Sequence, residues 1–269
     1  MRVAVAQFAA GRDVAGNRKR VAELVRRAAD GGAALVVLPE AAMHPFGGPD
    51  EDLAAVAEPV DGPFGTALAE VAAEAGVVAV AGMFEAVPGE DRVVNTVLAA
   101  GPSGPLGAYR KLHLFDALGW RESERVKPGS IEDPLLTVVV GDVTVGVLTC
   151  YDLRFPEMSR ALVDAGATLL ALPAAWVAGP LKEAHWLTLV TARAIENTCY
   201  VAAAGQAPRD YSGNSVIVDP MGVHLARLGE TDGAVAVAEV TAERVAEVRR
   251  VLPVLANRRF GVVAGTVGE

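Results

Sequence analysis

Residues 143–174 read VTVGVLTCYDLRFPEMSRALVDAGATLLALPA, and their order of apolar and helical segments decides the fold class. Val143 to Thr149 is a β-branched run that reads as a strand. Phe155 to Ala165 reads as a helix, and Thr168 to Leu172 as a second strand. Strand, helix and strand in this succession form a βαβ unit, the building block of a layered α/β protein.

The N-terminal stretch repeats the pattern. Val3 to Gln7 leads through a helix over Gly16 to Asp30 into a strand over Ala34 to Leu38, and the two units close alike, on GGAALVVLPE and AGATLLALPA. This likeness predicts two related halves packed together, and it aligns Glu40 with Ala174 at equivalent strand ends. Between the units, Gly65 to Ala75 reads as a helix and Val77 to Ala81 as a strand. Further strands are expected over Val93 to Ala99, Cys199 to Ala204, Ser215 to Val218 and Val235 to Val240, with Asp219 to Gly222 as a turn between the last two. Helices are expected over His185 to Asn197 and Ala242 to Val251, and loops over GPSGPLG and EAVPGED. No low-complexity tract or linker divides the pattern, so 1–269 reads as a single domain with 256–269 as its C-terminal tail.

Composition narrows the function. With 269 residues, 52% of them hydrophobic, the chain can bury a large core. Its net charge is −9 and its basic residues are scattered among acids, which argues against nucleic acid as a partner. The N-terminus has neither a signal-peptide layout nor an apolar span long enough to cross a bilayer, so the expectation is a cytoplasmic protein without a membrane partner. In such a compartment Cys150 and Cys199 are free, and each is a core residue or a reactive thiol. His44, His113, His185 and His224 show no zinc-ligand spacing, and no phosphate or dinucleotide loop follows a strand, so neither metal nor cofactor is expected. Nor do the histidines give a Cys-His dyad an obvious partner, His113, two residues from Lys111, being the best-placed exception.

In open α/β sheets ligands gather beyond the carboxyl ends of strands. There the chain puts an acid, Glu40, after LVVLP; a base, Lys111, after LGAYR; and a thiol, Cys150, after VGVLT. A thiol of ordinary pKa is mostly protonated at neutral pH and needs a cation or a carboxylate base nearby to attack as thiolate. Cys150 also stands where a strand turns into Tyr151-Asp152-Leu153-Arg154, an elbow that would present its sulfur while the Tyr151 N–H faces a developing oxyanion. Taken singly, each residue has a plainer reading: a small buried hydrophobe for the cysteine, solvated surface charge for Glu40 and Lys111. For Cys199, inside NTCYVAAA, the core reading is preferred.

The segments LVVLPEAAMHPF, YRKLHLFD, RESERVKPG, GVLTCYDLRFPEMSR and HWLTLVTARAIENTCYVAAAGQ resemble, in order and across nearly the whole chain, the signature blocks of the nitrilase (carbon-nitrogen hydrolase) superfamily. The resemblance implies a four-layer α-β-β-α sandwich, commonly paired into homodimers or higher oligomers, with a Glu-Lys-Cys triad at Glu40, Lys111 and Cys150. It implies a further glutamate at Glu122, although the loop ALGWR is short and leaves Glu124 as a rival. Cys150 would attack a small-molecule amide and form a thioester, with Glu40 moving the proton and Lys111 and the Tyr151 N–H holding the oxyanion. CYDLRFPE is similar to the block of omega-amidases and deaminated-glutathione amidases, so amides are expected rather than nitriles. Arg154 and Trp176 are expected near the pocket, the arginine pairing a substrate carboxylate or making a structural ion pair. Three rivals share the scaffold: an N-carbamoyl amino acid or amine hydrolase, an acyl transferase, and a catalytically idle binding or assembly protein.

Overall fold

In strand β1 (Arg2–Gln7) successive side chains serve two different layers. Val3 and Val5 join the core between two sheets, whereas Ala4 and Ala6 pack beneath helices. The strand period of two, on a segment buried on both faces, gives the near-continuous apolar run seen in the sequence. The same alternation recurs in β2 (Leu35–Val37), where Leu35 and Val37 face the other sheet and Val36 faces helices.

The computed structural model describes residues 1–208, 210–263 and 265. From β1 the chain enters α1 (Val14–Asp30), β2, α2 (Pro63–Ala75), β3 (Val78–Glu85), β4 (Val93–Gly101) and β5 (Gly104–Arg110). Short strands β6 (Asp116–Ala117), β7 (Trp120–Arg121) and β8 (Val126–Lys127) follow. The second half runs β9 (Thr137–Val140), β10 (Val143–Val147), α3 (Pro156–Asp164), β11 (Leu169–Ala174), α4 (Lys182–Asn197), β12 (Tyr200–Gly205), β13 (Val216–Val218) and β14 (His224–Arg227). Strand β15 (Ala234–Glu239) and helix α5 (Ala242–Val251) complete the regular elements. α2 starts with Pro63 in its first turn and stops at Gly76, whose φ of 67° is the left-handed conformation that ends a helix at little cost.

The repeat read from the sequence is a repeat of topology. One sheet has the order β15-β1-β2-β3-β4-β5 and the other β9-β10-β11-β12-β13-β14, with β8 added beside β4. In each, three parallel strands joined by two helices are followed by two antiparallel strands, and an antiparallel strand lies on the far edge. The inner faces of the sheets share one core; α1 and α2 cover the outer face of the first, α3 and α4 that of the second. The protein is therefore an α-β-β-α sandwich of four layers.

Two expectations need correction. GPSGPLG is not one loop: β4 and β5 pair through Gly101 and Gly104, leaving only Pro102 and Ser103 as a two-residue hairpin turn. The Asp219 to Gly222 turn leads not to β15 but to β14, an edge strand whose residues are all exposed or half-buried and so carry no apolar alternation to read. β9 was likewise unmarked, being four residues long with alternate side chains exposed. After α5 the described residues of the 256–269 segment hold no helix or strand, and Arg258 pairs with Asp164 at 2.7 Å; Ala264 and 266–269 lie outside the described residues.

Candidate active site

Cys150 opens a single tight helical turn, Cys150–Arg154, three residues beyond the end of β10, and takes a φ of +46°. That left-handed conformation is strained for a residue with a Cβ and persists only when its surroundings hold it. The hold comes from Asp152, which is fully buried. Its Oδ2 accepts from Thr149 N (2.9 Å) and the Tyr109 hydroxyl (2.7 Å), and its Oδ1 accepts from His113 N (3.3 Å) and pairs with His113 Nδ1 (2.7 Å). Thr149 Oγ1 donates to Pro173 O at 2.9 Å, fixing the elbow to β11. Tyr109 lies on β5 two residues before Lys111, so Asp152 clasps the strand that delivers the lysine to the turn that delivers the thiol. His113 is thus Asp152's partner, stacked on Phe155 at 3.8 Å, rather than a base for Cys150.

Glu40 follows β2 and is wholly buried. Its Oε1 accepts from Lys111 Nζ at 3.0 Å and Asn95 Nδ2 at 2.7 Å, and its Oε2 accepts from the Ala175 amide at 2.7 Å. Ala175 directly follows Ala174, the residue that the repeat aligns with Glu40, so the two equivalent strand ends meet at the seam between the halves. Gln206 Nε2 donates to both Glu40 O and Ala41 O at 3.0 Å, pinning the backbone. Gly82 is required on β3, because a Cβ there would lie 2.7 Å from Glu40 Cα and Ala41 N.

Lys111 is buried with Nζ 3.0 and 2.8 Å from the two oxygens of Glu122, besides its bond to Glu40. Glu122 Oε2 also accepts from Phe115 N at 2.6 Å, and Asn95 Nδ2 reaches Glu122 Oε1 at 3.2 Å. Glu124 is exposed and lines a separate cleft of about 520 Å³ with Pro49, Asp116, Trp120 and Arg125, so it is Glu122 that meets the lysine. Burial lowers the Lys111 pKa, but Glu122 and then Glu40 outweigh it and hold the group well above its ordinary value, as ammonium. At Cys150, burial first and the nearby Glu40 carboxylate next push the thiol well above its usual range, against a downward pull from Lys111. The resting sulfur is therefore a neutral thiol beside a carboxylate.

Arg154 and Trp176 come together near this cluster. The guanidinium carbon lies 4.7 Å from the Trp176 ring centre and 6.0 Å from that of Tyr151. Among the described residues Arg154 has no carboxylate partner; its one side-chain hydrogen bond is to His185 Nδ1 at 3.5 Å. Tyr151 packs edge-on against Phe115 at 5.0 Å. Cys199 is fully buried and burial pushes its pKa up to about 12, the signature of a packed, inert thiol. Asn95, Asp152, Tyr211 and Lys182 surround the site without having been singled out from the sequence. Asn95 alone carried a signal, as half of a polar pair, Asn95-Thr96, inside a fully buried strand. Tyr211 is buried, and its pKa is raised first by that burial and then by nearby Glu40.

Among the described residues no group of three His, Cys, Asp or Glu side chains is arranged to hold a metal ion, and no helix is long and apolar enough to cross a membrane. A family model described as carbon-nitrogen hydrolase matches residues 2–250. The deaminated glutathione amidase of Escherichia coli O157:H7 is 43% identical over 266 residues, covering 97% of this chain and 98% of its own. XC1258 from Xanthomonas campestris, a CN-hydrolase superfamily protein with an arsenic adduct in its active site, superposes with a TM-score of 0.86 at 29% identity over 98% of both chains. A variant of the amidase from Nesterenkonia sp. AN1, carrying the product of Michael addition of acrylamide at its active site cysteine, superposes with a TM-score of 0.79 at 27% identity, covering 94% of this chain and 98% of its own.

Proposed function

The chain belongs to the carbon-nitrogen hydrolase family, and from that premise we propose that Cys150 is the nucleophile of an amidase acting on small linear amides, with Glu40, Lys111 and Glu122 as its catalytic partners. The observation that carries this reading is the buried contact set of Glu40, Lys111 and Glu122 together with Cys150 on a left-handed elbow.

Each residue takes its task from its position. The neutral thiol cannot attack until it loses a proton, and the nearby Glu40 carboxylate receives that proton as sulfur closes on the amide carbon. The carbonyl oxygen becomes an oxyanion beside the Lys111 ammonium and the Tyr151 N–H, an amide of the first helical turn. Glu40 returns the proton to the leaving nitrogen, the C–N bond breaks, and ammonia departs from a thioester. Water, deprotonated by Glu40, then attacks the thioester, releases the carboxylic acid and restores the thiol. Glu122 holds Lys111 charged and fixed by binding it through both oxygens. Arg154, on the rim with Trp176, pairs a carboxylate on the substrate's acyl chain, a role supported by its lack of an acidic partner and by the relative named deaminated glutathione amidase.

The test is ammonia release from neutral amides, ω-amides of dicarboxylic acids, carbamoyl compounds and nitriles, with Cys150→Ala alongside. Release from the amides, falling by about a thousandfold or more in the variant while its circular dichroism is unchanged, is the expected result. Turnover retained by Cys150→Ala overturns the reading.

We also propose that the protein works in the cytoplasm as a homodimer or larger assembly, with 1–269 as one domain and 256–269 as its tail. The unpaired Cys150 and Cys199 support the compartment. Ile195, Met221, Val223 and Leu225, exposed around α4 and the β13–β14 turn, support association.

A further inference from the structure

Asn95 is a fully buried polar side chain inside an apolar strand, and the chemistry above gives it no task. It stands on β4, all nine of whose residues are buried. Its backbone carbonyl accepts from Lys111 N at 2.9 Å. Its side-chain amide serves both acids at once: Nδ2 donates to Glu40 Oε1 at 2.7 Å and to Glu122 Oε1 at 3.2 Å. Lys111 Nζ reaches the same two oxygens, each at 3.0 Å. The other end of the amide, Oδ1, is buried and has no hydrogen-bond partner among the described residues.

A buried acceptor left without a partner is costly, and turning the amide over to relieve it would set Oδ1 against two carboxylates. The contacts that offset this cost are those to Glu40 and Glu122. Two carboxylates near enough to share one nitrogen repel each other, and where nothing donates between them they hold a common proton. Lys111 brings one positive charge to two negative ones. Among the described residues the bonds to the two Oε1 oxygens come from Lys111 and Asn95 alone. The other ionisable groups that bear on the pair are Cys150, Tyr211 and Arg125. Burial keeps the thiol and the phenol neutral, and Arg125 acts on Glu122 from the end of its turn. The second donor that lets both acids stay charged is therefore the Asn95 amide.

We propose that Asn95 is a positioning residue: by donating to Glu40 and Glu122 together it keeps both as carboxylates around Lys111, so that Glu40 is free to take the proton of Cys150. This deepens the amidase reading and rests on it. Without the amide, Glu40 and Glu122 share a proton through their Oε1 oxygens, and a base that already holds a proton cannot accept the one on sulfur. The effect falls on the base and not on the substrate, so it is read in kcat and its pH dependence rather than in KM.

The test uses Asn95→Leu and Asn95→Val, the second chosen because a β-branched residue suits a strand, with circular dichroism confirming the fold of each. Infrared spectra at neutral pH report the carbonyl stretch of a protonated carboxyl group. The expected result is such a band in the variants that the parent lacks. It should vanish again when Glu122→Gln is added, because Glu40 then has no acid with which to share a proton. In turnover of the fastest amide found in the ammonia-release assay, the acid limb of the kcat profile should move up by about one pH unit, with KM within about twofold. An amide with a merely structural role would lower the melting temperature and move neither. No new band in a folded variant, a band that survives Glu122→Gln, or an acid limb that stays in place would each overturn the proposal. The infrared measurement needs no substrate, so a parent protein silent in turnover sinks the amidase reading while the spectra still decide what Asn95 does to the pair of acids.

Discussion

Lys111→Met keeps the length of the aliphatic stem and removes the one charge that Glu40 and Glu122 share. Three contacts disappear, at 3.0 Å to Glu40 and at 3.0 and 2.8 Å to Glu122, and two buried carboxylates are left with Asn95 Nδ2 between them. Breaking a buried ion pair from one side costs about 3–5 kcal/mol, since the remaining charge is neither solvated nor paired. That corresponds to a fall of about 10 °C in melting temperature. The loss should depend on pH, and its sign can be derived. In the parent protein the folded-state pKa of Lys111 is raised, because Glu122 and Glu40 overcome the lowering by burial. Its stabilising contribution is complete below the unfolded value and is constant between pH 5 and 8. In the variant one carboxylate must take up a proton to remain buried, so its folded pKa rises above the unfolded value of about 4.3. A carboxyl group shifted upward is least costly at low pH, and the cost grows by up to about 1.4 kcal/mol per pH unit until the raised pKa is passed. The stability gap between parent and variant should therefore widen from pH 5 to pH 8. Urea denaturation at four pH values measures it, and Lys111→Met with Glu122→Gln should recover about 2 kcal/mol and flatten the dependence. A gap of equal size at pH 5 and pH 8, together with no recovery in the double variant, would refute an electrostatic role for the cluster.

Three further outcomes are expected. Asp152→Asn keeps the volume but gives up acceptor capacity serving Tyr109, Thr149 and His113, so stability should fall by about 2–4 kcal/mol and kcat by more than tenfold; wild-type kcat would show that the elbow does not depend on it. Gly82→Ala sets a Cβ 2.7 Å from the Glu40 backbone and should cost about 1–3 kcal/mol with a loss of activity, whereas Gly48→Ala, where nothing lies within 4 Å, should be silent in the same assays. Iodoacetamide should label Cys150 at a rate that climbs through the alkaline range, because burial and Glu40 raise its pKa, and should spare Cys199 in the folded protein; peptide mapping that found Cys199 as the sole labelled thiol would reassign the nucleophile.

Legibility in the sequence followed burial. Strands β1, β2, β10 and β11 are buried on both faces and so appear as unbroken apolar runs, and their shared endings exposed the repeat. β14 and β9 lie at sheet edges, where side chains meet water and composition no longer alternates. Glu40, Lys111 and Cys150 could be found because each ends or follows a strand. Whether Glu122 or Glu124 faced the lysine could not, since two residues apart on a short loop differ only in which way the turn Glu122–Glu124 rolls them. Asp152 acts through a partner 43 residues away, Tyr109, and no local pattern encodes a contact set by the meeting of two sheets. His113 shows the converse: proximity to Lys111 in sequence made it the best-placed histidine, but the turn after β5 gives its ring to Asp152.

The proposed catalytic cluster is divided between the two halves of the fold, and on that proposal the sheet interface is part of the chemistry. Glu40, Asn95, Lys111 and Glu122 come from the first half; Cys150 and the amide of Ala175 come from the second. Bonds that cross the seam, among them Ala175 to Glu40, Gln206 to the Glu40 carbonyl, Ser215 to Gln7 and Tyr109 to Asp152, are directional. The docking energy comes instead from the apolar faces of β1–β3 and β10–β12, which fix distance without choosing a register of their own. The directional bonds choose it. A slip of one residue would move a strand by about 3.3 Å and turn its side chains to the opposite face, so these bonds hold only at the register that also sets Glu40 against the thiol. The buried polar network thus couples fold specificity to catalysis: each half carries an incomplete set of groups, and the packing of Val3, Val5, Leu35 and Val37 against Val145, Leu169 and Ala171 completes it.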